Sequence, residues 1–253
     1  MAGESKLFTT RGLVLKTKPL GERDRFVSLL TPEKGKLSCV APGARKTKSS
    51  LAALVEPFTL AEYFLHRGKS LYTISQAEKI TTFNSLREDL TSYTYACYLS
   101  GLLDNVVEID GGQLKDIFSL LYNSLAQLEA GLKPGLVGLA FEFKLLHVLG
   151  YSPHLECCLF CGLESSRYYL SLEGGGLVCF SCSKKDHSFL SLSRGSLALA
   201  RYLIKGSWPG ISRLKLTESQ YKELAFLTRA FLQRWAGVDN FKAMSFLEKL
   251  NSS

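Results

Sequence analysis

Phe26-Val27-Ser28-Leu29-Leu30-Thr31-Pro32-Glu33-Lys34-Gly35-Lys36-Leu37-Ser38-Cys39-Val40-Ala41 reads as strand, turn and strand. Phe26 to Leu30 is rich in β-forming residues, Thr31 to Gly35 carries the Pro and Gly of a turn, and Lys36 to Ala41 alternates Leu37 and Cys39 against Lys36 and Ser38. Working outward, Arg11 to Thr17 is a β-rich run on one side. Leu54 to Leu65 and Leu71 to Glu78, joined by His66-Arg67-Gly68-Lys69, follow on the other. Pro57 fits near a strand start or edge, where its missing N–H does least harm. Five strands in about 80 residues suit a small closed barrel, commonly an OB-fold.

The apolar period changes near residue 85. Tyr95, Leu99, Leu102, Leu103 and Val106 recur at helical spacing, as do Leu114, Ile117, Phe118, Leu121, Leu125 and Leu128, and then Leu136, Leu139, Ala140 and Phe143. Leu197, Ala200, Leu203 and Ile204 form a further stripe, and Tyr221, Leu224, Ala225, Thr228, Phe231, Leu232 and Trp235 the last. Thr217-x-x-Gln220 is a capping box that starts that helix. The expected fold class is α+β multidomain: a β-barrel over residues 1–80, then a helical domain in two parts, 81–153 and 189–253, with a small module inserted at 154–188.

That module is marked by Cys158-x-x-Cys161 and Cys179-x-x-Cys182, whose loops are separated by 17 residues containing Gly174-Gly175-Gly176. Two such hooks supply four soft ligands to one tetrahedral ion, so one structural Zn²⁺ is expected on Cys158, Cys161, Cys179 and Cys182. Four ligands close the coordination sphere and leave no place for substrate. His154-Leu155-Glu156 resembles half of a deaminase signature, but it directly adjoins Cys157 and Cys158 instead of lying on a separate element, which argues against a zinc hydrolase or deaminase. Cys157 is read as an unligated neighbour, His154 and His187 as exposed loop residues, and Cys39 and Cys97 as small buried side chains. Seven cysteines with no apolar signal core at the N-terminus argue against a disulfide scaffold and for a cytoplasmic protein.

In a chain of 253 residues with 46% apolar and 21% charged residues, the longest run without a charge, Leu90 to Leu103, is well short of the roughly 20 residues of a membrane span. Net charge is +7 over residues 1–80, −5 over 81–156 and +6 over 157–253. Lys34 and Lys36 flank the first turn, and Arg45-Lys46-x-Lys48-Ser49-Ser50 follows Pro42-Gly43 in a segment too polar for a strand. Cationic loops beside a barrel suit a polyanion, through counterion release that is independent of base sequence. Lys34, Lys36, Arg45, Lys46 and Lys48 are therefore candidate phosphate contacts, with Arg11, Arg23 and Arg25 as weaker ones. Phe8, Phe26, Tyr63, Phe64 and Tyr72 could stack on bases, though most read as barrel core. The chain has no Gly-x-x-x-x-Gly-Lys-Ser/Thr phosphate loop, so nucleotide-driven work would have to come from a partner.

Phe8-Thr9-Thr10-Arg11-Gly12-Leu13-Val14-Leu15-Lys16, Leu20-Gly21-Glu22-Arg23-Asp24, Leu30 to Lys36, Gly43 to Ser49 and Glu56-Pro57-Phe58 together resemble the N-terminal domain of the RecO family of bacterial DNA repair proteins. The likeness continues through Phe141-Glu142-x-x-Leu145-Leu146-x-x-Leu149-Gly150-Tyr151, Cys158-Leu159-Phe160-Cys161-Gly162 and Gly174-Gly175-Gly176-Leu177-Val178-Cys179-x-x-Cys182. It covers nearly the whole chain in matching order. The resemblance implies an OB-fold followed by a helical domain, and a recombination mediator without enzymatic turnover. It implies binding of single- and double-stranded DNA, annealing of complementary strands, and action with RecR to load RecA onto DNA coated by single-strand-binding protein. That protein's C-terminal tail is an implied partner; no membrane is, and the implied location is the nucleoid. An OB barrel with a four-cysteine ribbon also suits an RNA- or ribosome-associated factor, which competition between DNA and RNA strands would separate.

Overall fold

The computed structural model describes residues 7–106, 113–165, 167–183 and 190–238. These fall into two compact units, the first running to Pro134 and the second beginning at Gly135.

The first unit is built on strands β1 (Leu7–Leu20), β2 (Asp24–Thr31), β3 (Gly35–Ala41), β4 (Thr59–Arg67) and β5 (Tyr72–Thr82). They close into a barrel in the order β1-β2-β3-β5-β4, antiparallel throughout except where β3 meets β5. This is the five-stranded barrel expected of an OB-fold. Alternation decides the interior: Val27, Leu29, Leu37, Cys39, Ala61, Tyr63 and Leu65 point inward and are fully or almost fully buried. Burial pushes the Cys39 thiol up to about 12, leaving it protonated and inert.

The fourth strand starts later than the sequence pattern predicts. Leu54 to Phe58 belong to the loop that follows β3, and Pro57 precedes the strand instead of opening it. Ala44, Leu51 and Val55 from this loop join the barrel core, so its apolar residues close one end of the barrel and do not extend the sheet. Phe58 turns the chain into β4 at φ 67°, a left-handed conformation rare for an aromatic residue. Its N–H donates to the Val14 carbonyl at 2.9 Å and its ring meets Tyr93 edge-on at 5.7 Å.

Helices α1 (Leu90–Val106) and α2 (Leu114–Glu129) are the α-helices described in this unit. Asp89 caps α1, its carboxylate accepting from Ser92 N–H at 2.7 Å. The helix packs on β1, which is why the outward-facing Leu13, Leu15 and Leu30 are buried as well. Cys97 departs from the sequence expectation: it lies on the outer face of α1 and is exposed, while its neighbours Ala96, Tyr98 and Leu99 take the inner face.

The second unit contains α3 (Pro134–Val148), a small sheet of β6 (Tyr168–Ser171), β7 (Gly176–Cys179) and, after the single turn α4 (Phe180–Ser183), β8 (Leu190–Ser191). Three helices follow: α5 (Arg194–Lys205), the short α6 (Trp208–Ile211) and α7 (Glu218–Ala236). The stripe residues Leu197, Ala200, Leu203, Leu224, Phe231 and Leu232 are all buried, whereas Trp235 is 39% exposed. The capping box forms as read, with Thr217 Oγ1 accepting from Gln220 N–H and the Gln220 side chain accepting from Thr217 N–H. Buried Glu142 of α3 accepts a hydrogen bond from Thr228 of α7. Lys144 caps α5 by donating to the Gly206 carbonyl at 2.7 Å.

Candidate nucleic-acid interface and metal centre

The antiparallel register of β1 and β2, with Leu20 opposite Asp24 and Leu13 opposite Leu30, separates the candidate cations along the barrel. Arg23, Arg25, Arg45, Lys46 and Lys48 belong to one end. Arg11 and Lys34 belong to the other. At the first end the loop after β3 folds onto the β1–β2 turn: Arg45 N–H donates to the Arg23 carbonyl at 2.9 Å, its guanidinium to the Gly21 carbonyl at 2.6 Å, and Gly43 N–H to Asp24 Oδ1 at 2.8 Å. Arg23, Arg45, Lys46 and Lys48 are all exposed. Hydrogen bonds from Gly43 and Arg45 thus pin this loop to the β1–β2 turn and group its cations with Arg23.

Two candidates are differently engaged. Arg25 pairs with Glu56 Oε1, and Glu56 also meets Arg87 at 3.6 Å, tying β2 to the loop before β4. Lys36 donates to the carbonyl of Asp104 near the C-terminal end of α1. Asp104 further accepts from Lys16 Nζ at 2.7 Å and from Ser28 Oγ at 2.8 Å. Burial pushes the Asp104 carboxyl up, but the hydrogen bonds from Lys16 and Ser28 and the charges of Lys16 and Lys36 outweigh it, holding the group below the usual carboxylate range. Sequence reasoning missed this clamp because its members lie on β1, β2, β3 and α1, as much as 88 residues apart.

At the opposite end Arg11 faces Glu62 across the β1–β4 ladder and shares a groove of about 470 Å³ with Glu33 and with Lys115 of α2. That mixture of signs does not favour a polyanion. Lys34 lies 4.9 Å from the centroid of the Phe8 ring, which in turn meets Tyr72 edge-on at 5.6 Å. Of the candidate stacking aromatics, Tyr63 is wholly buried and donates its hydroxyl to the Leu54 carbonyl at 2.6 Å. Phe8, Phe26, Phe64 and Tyr72 are half-buried.

The four cysteines of the paired hooks converge. Sγ atoms of Cys158, Cys161, Cys179 and Cys182 all lie within 4.8 Å of one another, a group that could hold a metal ion. Two features of the chain bring this about. Gly175 takes φ +74° in the turn between β6 and β7, and a side chain at Gly176 would come within 2.6 Å of the His154 carbonyl, so only glycine allows the first hook to dock there. Cys179 N–H points at Cys158 Sγ at 3.3 Å. Burial would push the Cys158 thiol up, but backbone N–H groups of Cys179, Cys161 and Phe160 pull it down to about 6, while hydrogen bonds among the crowded thiols push Cys182 up to about 12. Cys157 stays outside the cluster and sits 3.2 Å from Nε2 of the exposed His154. His187 lies outside the described residues.

The N-terminal model of recombination protein O matches residues 4–83, and its C-terminal model matches residues 87–244. The chain belongs to the RecO family. A DNA repair protein RecO of Alkaliphilus metalliredigens is 33% identical over 96% of this chain and 100% of its own length. The RecO of Desulforamulus reducens is 31% identical over 98% of this chain and 96% of its own, and that of Bacillus subtilis 29% over 95% and 94%. The two family models part between residues 83 and 87, close to the end of the barrel at Thr82, whereas α1 and α2 are compact with the barrel. No described helix is long and apolar enough to cross a membrane.

Proposed function

We propose that this chain acts in DNA repair as a DNA-binding recombination mediator of the cytoplasm and nucleoid. It anneals complementary strands and, with RecR, helps load RecA onto DNA coated by single-strand-binding protein, whose tail it engages. The observation that carries the DNA-binding part is the group of exposed cations Arg23, Arg45, Lys46 and Lys48 on two loops held together at one end of a closed five-stranded barrel, in a chain of a DNA repair family. Lys34 is a second exposed contact. Arg11, Arg25 and Lys36 contribute to the field more than as direct phosphate ligands, since each already faces or pairs with protein acceptors.

The physical task needs no turnover. Two strands repel as polyanions, and fixed cations that displace their counterions lower that repulsion while holding the strands near one another. The four cysteines hold one structural zinc ion. The Cys161–Cys179 sulfur separation of 3.8 Å equals the edge of a tetrahedron whose metal–sulfur bonds are about 2.3 Å. When bound, the ion supplies a closed four-thiolate cross-link and no open position for substrate.

Neutralising Arg45, Lys46 and Lys48 together (R45Q/K46Q/K48Q) should weaken binding of a single-stranded oligonucleotide and lower the slope of log affinity against log salt by about two. Fluorescence anisotropy across a salt series measures both. A variant with wild-type affinity and slope would overturn the assignment of these loops.

A further inference from the structure

Four large apolar side chains around the cysteine cluster remain in solvent: Leu159 at 36% exposure, Phe160 at 68%, Leu163 at 67% and Phe180 at 45%. Each Cys-x-x-Cys hook encloses one of the two phenylalanines, and convergence of the thiols brings the hooks together. Phe180 is not alone. Its ring lies 6.5 Å from that of Tyr169, inclined by 30°, and the exposed guanidinium of Arg167 sits 5.3 Å from the Phe180 centroid and 5.6 Å from that of Tyr169. Arg167 also lines a groove of about 800 Å³ with Arg194, Arg201, Glu156, Glu164 and Tyr168. Three arginines against two glutamates give it a net positive lining. Arg201 is held in place by the carbonyls of Leu155 and Glu156. Glu173, the other carboxylate of this turn, is answered by Arg234 at 3.7 Å.

An exposed ring beside a stacked guanidinium, continuous with a cationic groove, matches the two faces of an unpaired strand. Bases need flat apolar partners and phosphates need positive charge. We propose that the cysteine module carries a second contact for single-stranded nucleic acid, on a different unit from the barrel, in which Phe160 and Phe180 stack on bases and the groove beginning at Arg167 receives the adjoining phosphates. Duplex DNA keeps its bases stacked on one another and cannot use the rings, so this contact favours unpaired strands. It rests on the DNA-binding reading above and adds to it a discrimination that the sequence-independent barrel loops do not provide. A protein docked on the apolar part of the patch is the competing outcome that the experiment separates.

The full-length protein, its F160L/F180L variant and its R167Q variant are compared by anisotropy on a labelled oligothymidine and on a duplex of equal length. Ultraviolet cross-linking to the oligothymidine followed by peptide mapping is run in parallel. Leucine keeps the surface apolar and removes only the ring, and bound metal and circular dichroism check that each variant is folded. F160L/F180L should bind the single strand roughly tenfold more weakly per ring lost, with an unchanged salt slope and unchanged duplex affinity, and should lose cross-links at residues 157–183. R167Q should lower the slope for the single strand by about 0.7. Wild-type affinity and cross-linking in F160L/F180L would overturn this proposal alone and leave the patch to a protein. A wild-type protein that binds no oligonucleotide would sink both readings.

Discussion

Asp104 shows how one residue redirects neighbours whose sequence context suggested another task. Lys36 flanks a turn beside other cations and reads as a phosphate contact, yet its ammonium is turned onto the end of α1 together with Lys16. Nothing local to Lys36 announces this, because the acceptor is 68 residues away. Replacing Asp104 by Asn should cost about 1 to 2 kcal/mol, since it leaves Ser28 and two ammonium groups without their carboxylate, and a urea titration checks it. The same carboxyl has a pH signature. Its folded pKa lies below that of the unfolded chain, so the stability it provides is complete above about pH 4 and is lost as pH falls through the folded value. The asparagine variant should therefore show a shallower loss of stability below pH 4 than the wild type. Parallel acid titrations monitored by circular dichroism would reveal an identical loss if the clamp contributes nothing.

Among the elements, helices with a one-sided apolar stripe and the polar start of the long loop were legible, and the apolar end of that loop was not. The last described helix, α7, begins where the Thr217 capping box places it, because capping is a local contest between side chain and backbone for four free N–H groups. Thr217→Ala should cost about 1 kcal/mol, readable as a lower urea midpoint, whereas Lys222→Ala on the exposed face should be near neutral. Leu54 to Phe58 misled for the opposite reason. Leu54 and Val55 carry the residue types of a strand, but Val55 joins the barrel core from a turn. Apolar side chains must be buried, and sequence cannot say whether a sheet or a plug buries them. The chain then needs a left-handed residue to enter β4, and Phe58 supplies it under the restraint of its backbone hydrogen bond to β1.

Across the whole molecule the two units place different demands on the metal. Cys158, Cys161, Cys179 and Cys182 lie within the second, and α7 reaches their module through Trp235, whose ring is 3.4 Å from where a side chain on Gly175 would begin. Chelation should therefore raise amide exchange in residues 154–183 and in the last turn of α7 while β1 to β5 keep their protection. Unchanged exchange across the module would remove the case for a structural ion. By itself the sequence determined the five-strand count, the helical stripes, the four convergent thiols and the family, because periodicity, ligand spacing and ordered motifs are properties of neighbouring residues. Only the tertiary structure decided which cations stay in solvent, which are consumed by Asp104 and Glu56, and that Phe160 and Phe180 keep part of their surface in solvent. Those outcomes depend on what distant segments bring within a few ångströms, and Coulomb pairing and burial act on that distance and not on separation along the chain.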